Sequence, residues 1–487
     1  MRIADQRRSL LRTAAVSAVV VAVQLWWSWQ HLHRQITTDE SFTYFAANGG
    51  LSDLVGACRA DPAMSAYYVL AFVVAHLSSG SIFTLRVLTF VCYVAIVVLV
   101  CALAQRRGRW WAGPLALAVV GATPIVREAV VDARAAVLAA LVAVVLVLAL
   151  GRLLATRSDG GSGPAVVVER WVALVACLIA VLVFVHPSGL GPAGVAWLVL
   201  LWSAHERGGR VRWWLAGASV AVLLALAANV LQADSADGLV EPGLAGVHRT
   251  LGLMWGGNSL LAVATIVAVA VVVALDGRHN TVTAAAAGGS VAWTVLLLVA
   301  VPAVTLFVAR YLVVACVLLA VAAVGVAARH WRGWLLLGVA VVCLVGSFLA
   351  RDRWPGAETR WCTVADIVEQ DAVAGDVVVF PYGSSVTPVM ACLGEGRTAA
   401  LFAGLRTLPS LEGVDRSNPR AVWRLELDGE ALLALADSAE AQRVLLVRSG
   451  ENEASIRAFL DRVDETGGSC IDDVIDGQGL TVCTLAG

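Results

Sequence analysis

The chain has 487 residues, 59% of them hydrophobic and only 15% charged, with a formal net charge of −1. Soluble globular domains carry about 25% charged residues, so this is membrane composition, and the charge balance excludes both the basic surface of a nucleic-acid binder and an acidic tail. All 35 Lys+Arg residues are arginine, which excludes a Schiff-base or phosphate-loop lysine and leaves any anion site to guanidinium groups, whose planar fork suits phosphate.

The N-terminal MRIADQRRSLLR precedes an apolar run that ends near Trp29. No small-residue cleavage site follows, so the run is expected to stay as a first span, with Trp26, Trp27 and Trp29 at the far interface. Residues 31–81 then form the first outer loop. Within it, AMSAYYVLAFVVAHLS (63–78) is short for ~30 Å of hydrocarbon, and counting it as a span would invert every later loop. It reads as a juxtamembrane helix at the outer interface. Hydropathy places further spans near 82–104, 111–126, 135–151, 171–186, 189–203, 213–231, 259–275, 283–301, 311–328 and 334–350, about eleven in all with the first.

Arginine asymmetry sets the orientation. One set of ends carries Arg2, Arg7, Arg8 and Arg12, then Arg106, Arg107 and Arg109, then Arg152, Arg157 and Arg170, then Arg207, Arg210 and Arg212, and later Arg278, Arg329 and Arg332. The opposite loops carry only Arg34, Arg59, Arg127, Arg134, Arg249 and Arg310. The richer side is cytoplasmic, the N-terminus with it, and an odd number of spans puts the C-terminus outside. The lysine-free, Ala/Val/Arg-rich composition is that of a high-GC bacterium, so the membrane is expected to be a bacterial plasma membrane.

Beyond Arg351 the pattern changes. GDVVVFPYG (375–383), RAVWRLELDG (420–429), RVLLVRSG (443–450) and the terminal LTVCTLAG read as strands, and residues 451–468 read as a helix with Ile456, Phe459, Leu460 and Val463 on one face. The expected organisation is a transmembrane module over 1–350 and a small extracytoplasmic α/β domain over 351–487. Cys470 and Cys483 flank a DG-containing stretch and form a candidate hairpin disulfide, with Cys362–Cys392 as a second pairing. No CxxC or Cys/His metal spacing occurs.

Asp39 and Glu40, in TTDESFTYFAA, follow the first span on the outer face. Adjacent carboxylates there can accept a proton from an acceptor hydroxyl, bind a divalent cation such as Mg or Mn through Glu40, or simply be solvated. Arg86, Arg134 and Arg310 each fall at an outer membrane boundary, where they either meet an anion or snorkel to lipid headgroups. Asp61, Tyr67, Tyr68, His186 and Tyr311 complete the candidate set, against bland readings as loop acid, interfacial anchors and helix-end residues.

The order of these motifs carries a resemblance. A DE pair follows the first span, then D-P-x-x-x-x-Y-Y (Asp61, Pro62, Tyr67, Tyr68), then SSGSIFTLRVLTFV with Arg86, then TPIVREAVVDARAAVLAAL with Arg127, Asp132 and Arg134, then LVFVHPSG with His186, and last LFVARYLVVACVLL with Arg310 and Tyr311. This series resembles the GT-C glycosyltransferases that use polyprenyl-phosphate sugars, closest to the protein-O-mannosyltransferase-like branch, family 39 in the broad sense. The resemblance implies that Asp39 is the catalytic first-loop acid with Glu40 beside it. It also implies that Arg134, whose acidic neighbour here is Asp132, and Arg310-Tyr311 hold the lipid phosphate. The chain departs from the family where relatives read H-P-P-L-Y-Y: here Asp61-Pro62-Ala63-Met64 lacks the His and the second Pro.

The expectation is therefore a GT-C-like polytopic α-helical membrane protein that transfers a sugar from a polyprenyl-phosphate donor to a glycan, glycolipid or exported-protein acceptor of the cell envelope, with Asp39 as general base. Its other partners are membrane lipids; no nucleic acid is expected. Two rivals remain: a lipid or small-molecule transporter or flippase, which predicts charges deep in several spans, and a non-catalytic scaffold displaying the exported domain, for which Asp39→Asn is silent.

Overall fold

The computed structural model describes residues 22–106, 123–158, 165–207, 209–232, 308–327, 361–373, 376–381, 383–393, 406–408, 429–436, 443–449, 453–475 and 478–485, with isolated positions at 19, 113, 116, 117, 121, 288 and 289. The expected spans at 259–275 and 334–350, nearly all of 283–301, half of 111–126 and nearly all of the expected strand 420–429 lie outside the described residues. The chain divides into two compact units. One comprises Met1–Leu32, Asp61–Leu70 and Leu85–Trp354; the other comprises His33–Ala60, Ala71–Thr84 and Pro355–Gly487.

The first unit is built of long apolar helices. Among the described residues four are long and apolar enough to cross a membrane: Ile82–Arg106, Ala136–Ala155, Val166–Val185 and Arg210–Ala228. In hydrocarbon every backbone N–H and C=O must be satisfied within the segment, which is why Val-rich sequences that would favour strands in water are helical here. The helix Ala136–Ser158 packs against Ala165–Val185 and Val308–Ala327, while Arg210–Gln232 packs against Ala165–Val185 and Leu190–Arg207. Ala139, Ala140 and Ala143 are buried along one side of the Ala136–Ser158 helix, and such small residues let neighbouring backbones approach closely. Large apolar side chains remain uncovered on these helices, among them Val98, Leu198, Trp213 and Leu223. Apolar surface of this extent marks contact with lipid. The protein is membrane-embedded.

The second unit centres on a five-stranded sheet of order β2-β1-β3-β5-β4, with β1 Val377–Val379, β2 Arg406–Leu408, β3 Arg443–Ser449, β4 Ser469–Ile475 and β5 Gln478–Thr484. β1 runs parallel to β2 and β3, whereas β5 is antiparallel to β3 and β4. Successive strand residues face opposite sides, and both sides of β1 and β3 are covered, so Val377–Val379 and residues 444–447 read as unbroken apolar runs. On one side Val377, Val379, Val444 and Leu446 pack with Leu432, Ile456, Phe459 and Val463 from the helices Gly429–Ala436 and Glu453–Glu465. On the other, Val378, Phe380, Leu445 and Val447 pack with Trp361, Val364, Val368, Val386, Val389 and Met390 from the helices Trp361–Asp371 and Gly383–Leu393. Phe42 and Phe45 join this second core. They come from the helix Thr38–Asn48, more than 300 residues earlier in the chain. Burying each contributes roughly 1.5–3 kcal/mol.

Two disulfides brace the unit. Cys470 and Cys483 are directly opposed on β4 and β5, with Cα atoms 4.0 Å apart. Cys362–Cys392 links the helices Trp361–Asp371 and Gly383–Leu393, with Cα atoms 5.0 Å apart. The segment 31–81 is itself helical, with Thr38–Asn48, Leu51–Ala60 and Ser65–His76 joined by short turns. Asn48 Nδ2 donates to the carbonyls of Tyr44 (3.0 Å) and Gly80 (2.8 Å). Gly80 sits at φ +65°, where a Cβ would lie 2.0 Å from Asn48 Oδ1, so only glycine fits.

Candidate active site

The two acids of the first loop occupy the first turn of the helix Thr38–Asn48, and their roles differ. Thr37 is the N-cap, in extended conformation. Its hydroxyl accepts from the Glu40 N–H at 3.3 Å, and the Glu40 carboxylate accepts from the Thr37 N–H at 2.9 Å. This is a complete capping box. The other Glu40 oxygen lies 3.9 Å from Nη2 of Arg34, and the Glu40 side chain is fully buried. Glu40 is thus occupied as cap and ion-pair partner. Among the described residues no group of three or more His, Cys, Asp or Glu side chains converges as a cation site, so the candidate cation role of Glu40 finds no second and third ligand there.

Asp39 is buried as well, at 7% exposure, but takes no part in the capping box. It stands one residue inside the helix start. Arg34, not singled out by its position in the sequence, emerges as the cation beside Glu40.

The remaining candidates lie in the helical unit. Arg86 is fully buried on the helix Ile82–Arg106, and its Nη1 donates to the Leu32 carbonyl at 2.9 Å. One turn further along the same helix, Thr89 Oγ1 is 3.5 Å from the Tyr67 hydroxyl. Burial pushes the Tyr67 hydroxyl well above the ordinary phenol range; the Thr89 hydrogen bond opposes this, Asp132 adds to it and Arg134 opposes it. Tyr67 therefore stays protonated, and Tyr67, Asp132 and Arg134 share one electrostatic neighbourhood. Asp132 and Arg134 lie in the turn between the helices Pro124–Val130 and Ala136–Ser158, with the Arg134 N–H donating to the Asp132 carbonyl at 2.7 Å. Asp132 is buried and Arg134 half-buried. Tyr68 donates to Asp61 Oδ2 at 3.3 Å, which ties the D-P-x-x-x-x-Y-Y motif together as a structural clasp. Arg127 stacks over Trp27, 4.6 Å from the ring centroid.

His186 is buried at the start of a short 3-10 turn, Pro187–Gly189. The Ser188 N–H donates to its Nδ1 at 3.3 Å, and the Ser188 hydroxyl lies 2.7 Å from the same nitrogen. Because an amide only donates, Nδ1 is an acceptor, and a neutral ring then carries its proton on Nε2. Pro187 ends the Ala165–Val185 helix and His186 caps the following turn, a helix-end function that the HPSG sequence allows. Arg310 and Tyr311 fall in the first turn of the helix Val308–Ala327; their side chains lie outside the described residues.

No protein-family profile and no curated relative matches the chain. Among solved structures, ArnT from Cupriavidus metallidurans in the apo state aligns over 98% of this chain and 98% of its own, at a TM-score of 0.52 and 12% identity. The chain shares the fold of that structure. ArnT bound to undecaprenyl phosphate aligns over the same 98% of both chains with a TM-score of 0.48 and 12% identity. The archaeal oligosaccharyltransferase AglB from Archaeoglobus fulgidus, in complex with an inhibitory peptide and a dolichol-phosphate, aligns over 88% of this chain and 69% of its own with a TM-score of 0.45 and 10% identity. At those scores neither adds to the fold assignment.

Proposed function

We propose that this chain is a GT-C membrane glycosyltransferase that moves a sugar from a polyprenyl-phosphate donor to a cell-envelope acceptor on the outer face of a bacterial plasma membrane. Asp39 acts as general base: it takes the proton from the acceptor hydroxyl as that oxygen forms its bond to the anomeric carbon. The bond from the anomeric carbon to the phosphate oxygen breaks, and polyprenyl phosphate leaves with the electron pair. A single displacement inverts the anomeric configuration. Arg86, Arg134 and Arg310 bind the donor phosphate and offset the charge that develops on it. Tyr67, protonated by virtue of its burial, and Tyr311 serve as substrate contacts, with Asp61, Tyr68 and His186 shaping the same surroundings.

The observation that carries this reading is the division of labour within the acid pair: Glu40 is spent on the helix cap and Arg34, while Asp39 beside it is buried at a helix start in the fold the chain shares with ArnT. The protein-O-mannosyltransferase-like branch, and the choice between hexose and pentose, belong to the same proposal. The test is incubation of the purified full chain with a panel of polyprenyl-phosphate hexoses and pentoses and membrane extracts as acceptor source. Release of polyprenyl phosphate with one donor class is expected. No release with any donor, from protein that retains its thermal unfolding transition, would count against it.

A further inference from the structure

Burial of Phe42 and Phe45 holds the acidic helix against the sheet unit, but apolar burial is non-directional and leaves register along and around the helix axis open. Hydrogen bonds have angular requirements and can set it. Three such bonds join residues 35–41 to the helices on that side of the sheet. Gln35 Nε2 donates to Thr363 Oγ1 at 2.9 Å, and the Cys362 N–H donates to Gln35 Oε1 at 3.1 Å. One amide side chain thus uses both its ends on consecutive residues of the helix Trp361–Asp371. The Ser41 and Thr387 hydroxyls are hydrogen-bonded at 2.7 Å, both residues being fully buried. Ser41 Oγ also donates to the Thr38 carbonyl, within the first turn of the acidic helix. Thr387 sits on the helix Gly383–Leu393, which the Cys362–Cys392 disulfide ties covalently to the helix that Gln35 grips. The connections close a ring: Gln35 to Cys362, across the disulfide to Cys392, along the helix to Thr387, across to Ser41, and back along the chain through Asp39.

We propose that Gln35, Ser41 and Thr387 are positioning residues for Asp39, and that the Cys362–Cys392 disulfide closes the frame they form. The sheet unit is then part of the catalytic apparatus rather than a passenger. This rests on Asp39 being the general base. Displacing a reacting group by about 1 Å costs on the order of 100-fold in rate, and one helical residue is about 1.5 Å of rise, so a frame of this kind acts on kcat rather than on donor binding.

The experiment uses the full chain in detergent and compares Thr387→Val, which removes the hydroxyl from a side chain of similar shape, with Thr387→Ser, which keeps it. Gln35→Leu and the paired Cys362→Ser/Cys392→Ser variant are run beside them. Two quantities are measured: donor-dependent transfer, split into kcat and KM, and amide hydrogen exchange over residues 38–48. Thr387→Val, Gln35→Leu and the paired cysteine variant are expected to lower kcat by roughly 10- to 100-fold with donor KM unchanged and to speed exchange in 38–48, and Thr387→Ser is expected to restore both. Wild-type kcat and exchange in Thr387→Val and Gln35→Leu would overturn the proposal, as would a loss that Thr387→Ser fails to rescue. Faster exchange in Thr387→Val, restored by Thr387→Ser, in a protein inactive on every donor would uphold the frame and remove the transferase reading alone.

Discussion

The region that carries the acids and the region that carries the arginines are held by different physics. The acidic helix is fixed as a water-soluble domain would fix it: a capping box from Thr37 and Glu40, two aromatic side chains in a shared core, and side-chain hydrogen bonds to residues more than 300 positions away. In the helical unit the described contacts are of another kind. Arg86 is anchored by a backbone carbonyl, Asp132 and Arg134 by a tight turn, and Tyr67 by one long contact to Thr89. In an apolar helix bundle a charged side chain has little to hold it except main-chain groups and other ionisable residues. The difference teaches that orientation of the acid is set by several kinds of contact at once, whereas polar groups among the apolar helices lean on main-chain carbonyls and on one another.

The sharpest way to break that contrast is Arg86→Leu. It strips the Leu32 carbonyl of its charged partner, which should cost about 1.5–3 kcal/mol and, with Arg86 on the donor phosphate, raise donor KM; Arg86→Lys should not restore KM, because an ammonium lacks the fork. Thermal unfolding in detergent and donor titration read the two effects. The Cys470→Ser/Cys483→Ser pair removes a cross-strand link that closes a short loop, so the sheet unit should lose about 3 kcal/mol while transfer at low temperature stays unchanged. Glu40→Gln still accepts from the Thr37 N–H but leaves Arg34, itself mostly buried, without the carboxylate 3.9 Å away, so stability should fall by roughly 3 kcal/mol while transfer stays close to wild type. A loss of transfer as large as that of an Asp39 variant would make the two carboxylates equivalent and dissolve the division of labour between them. Thr37→Ala should cost about 1 kcal/mol, visible as faster exchange at the start of the acidic helix.

Much of the architecture is legible in the sequence. The apolar runs at 82–104, 135–151 and 213–231 correspond to long helices, and VVVF and RVLLVRS to strands buried on both faces. The amphipathic face of Ile456, Phe459 and Val463 packs on the sheet as its period demands. The T-x-x-E spacing of Thr37 and Glu40 is a capping signature in plain view; reading the acids as a chemical pair hid the separate role of Glu40. Gln35, Thr363 and Thr387 carried no local signal, because their partners come from opposite ends of the chain and single polar residues have no periodicity to betray them. The D-P-x-x-x-x-Y-Y motif reads as a substrate segment in sequence, and the Tyr68–Asp61 bond shows that part of its pattern serves to fasten the start of the helix Ser65–His76.

The most direct measurement is the rate of sugar transfer by Asp39→Asn, beside wild type and Glu40→Gln, with donor binding followed in the same samples. Asp39 as general base predicts a loss of about 10²–10⁴-fold in kcat for Asp39→Asn, with donor binding intact and Glu40→Gln close to wild type. Wild-type turnover in Asp39→Asn would contradict it.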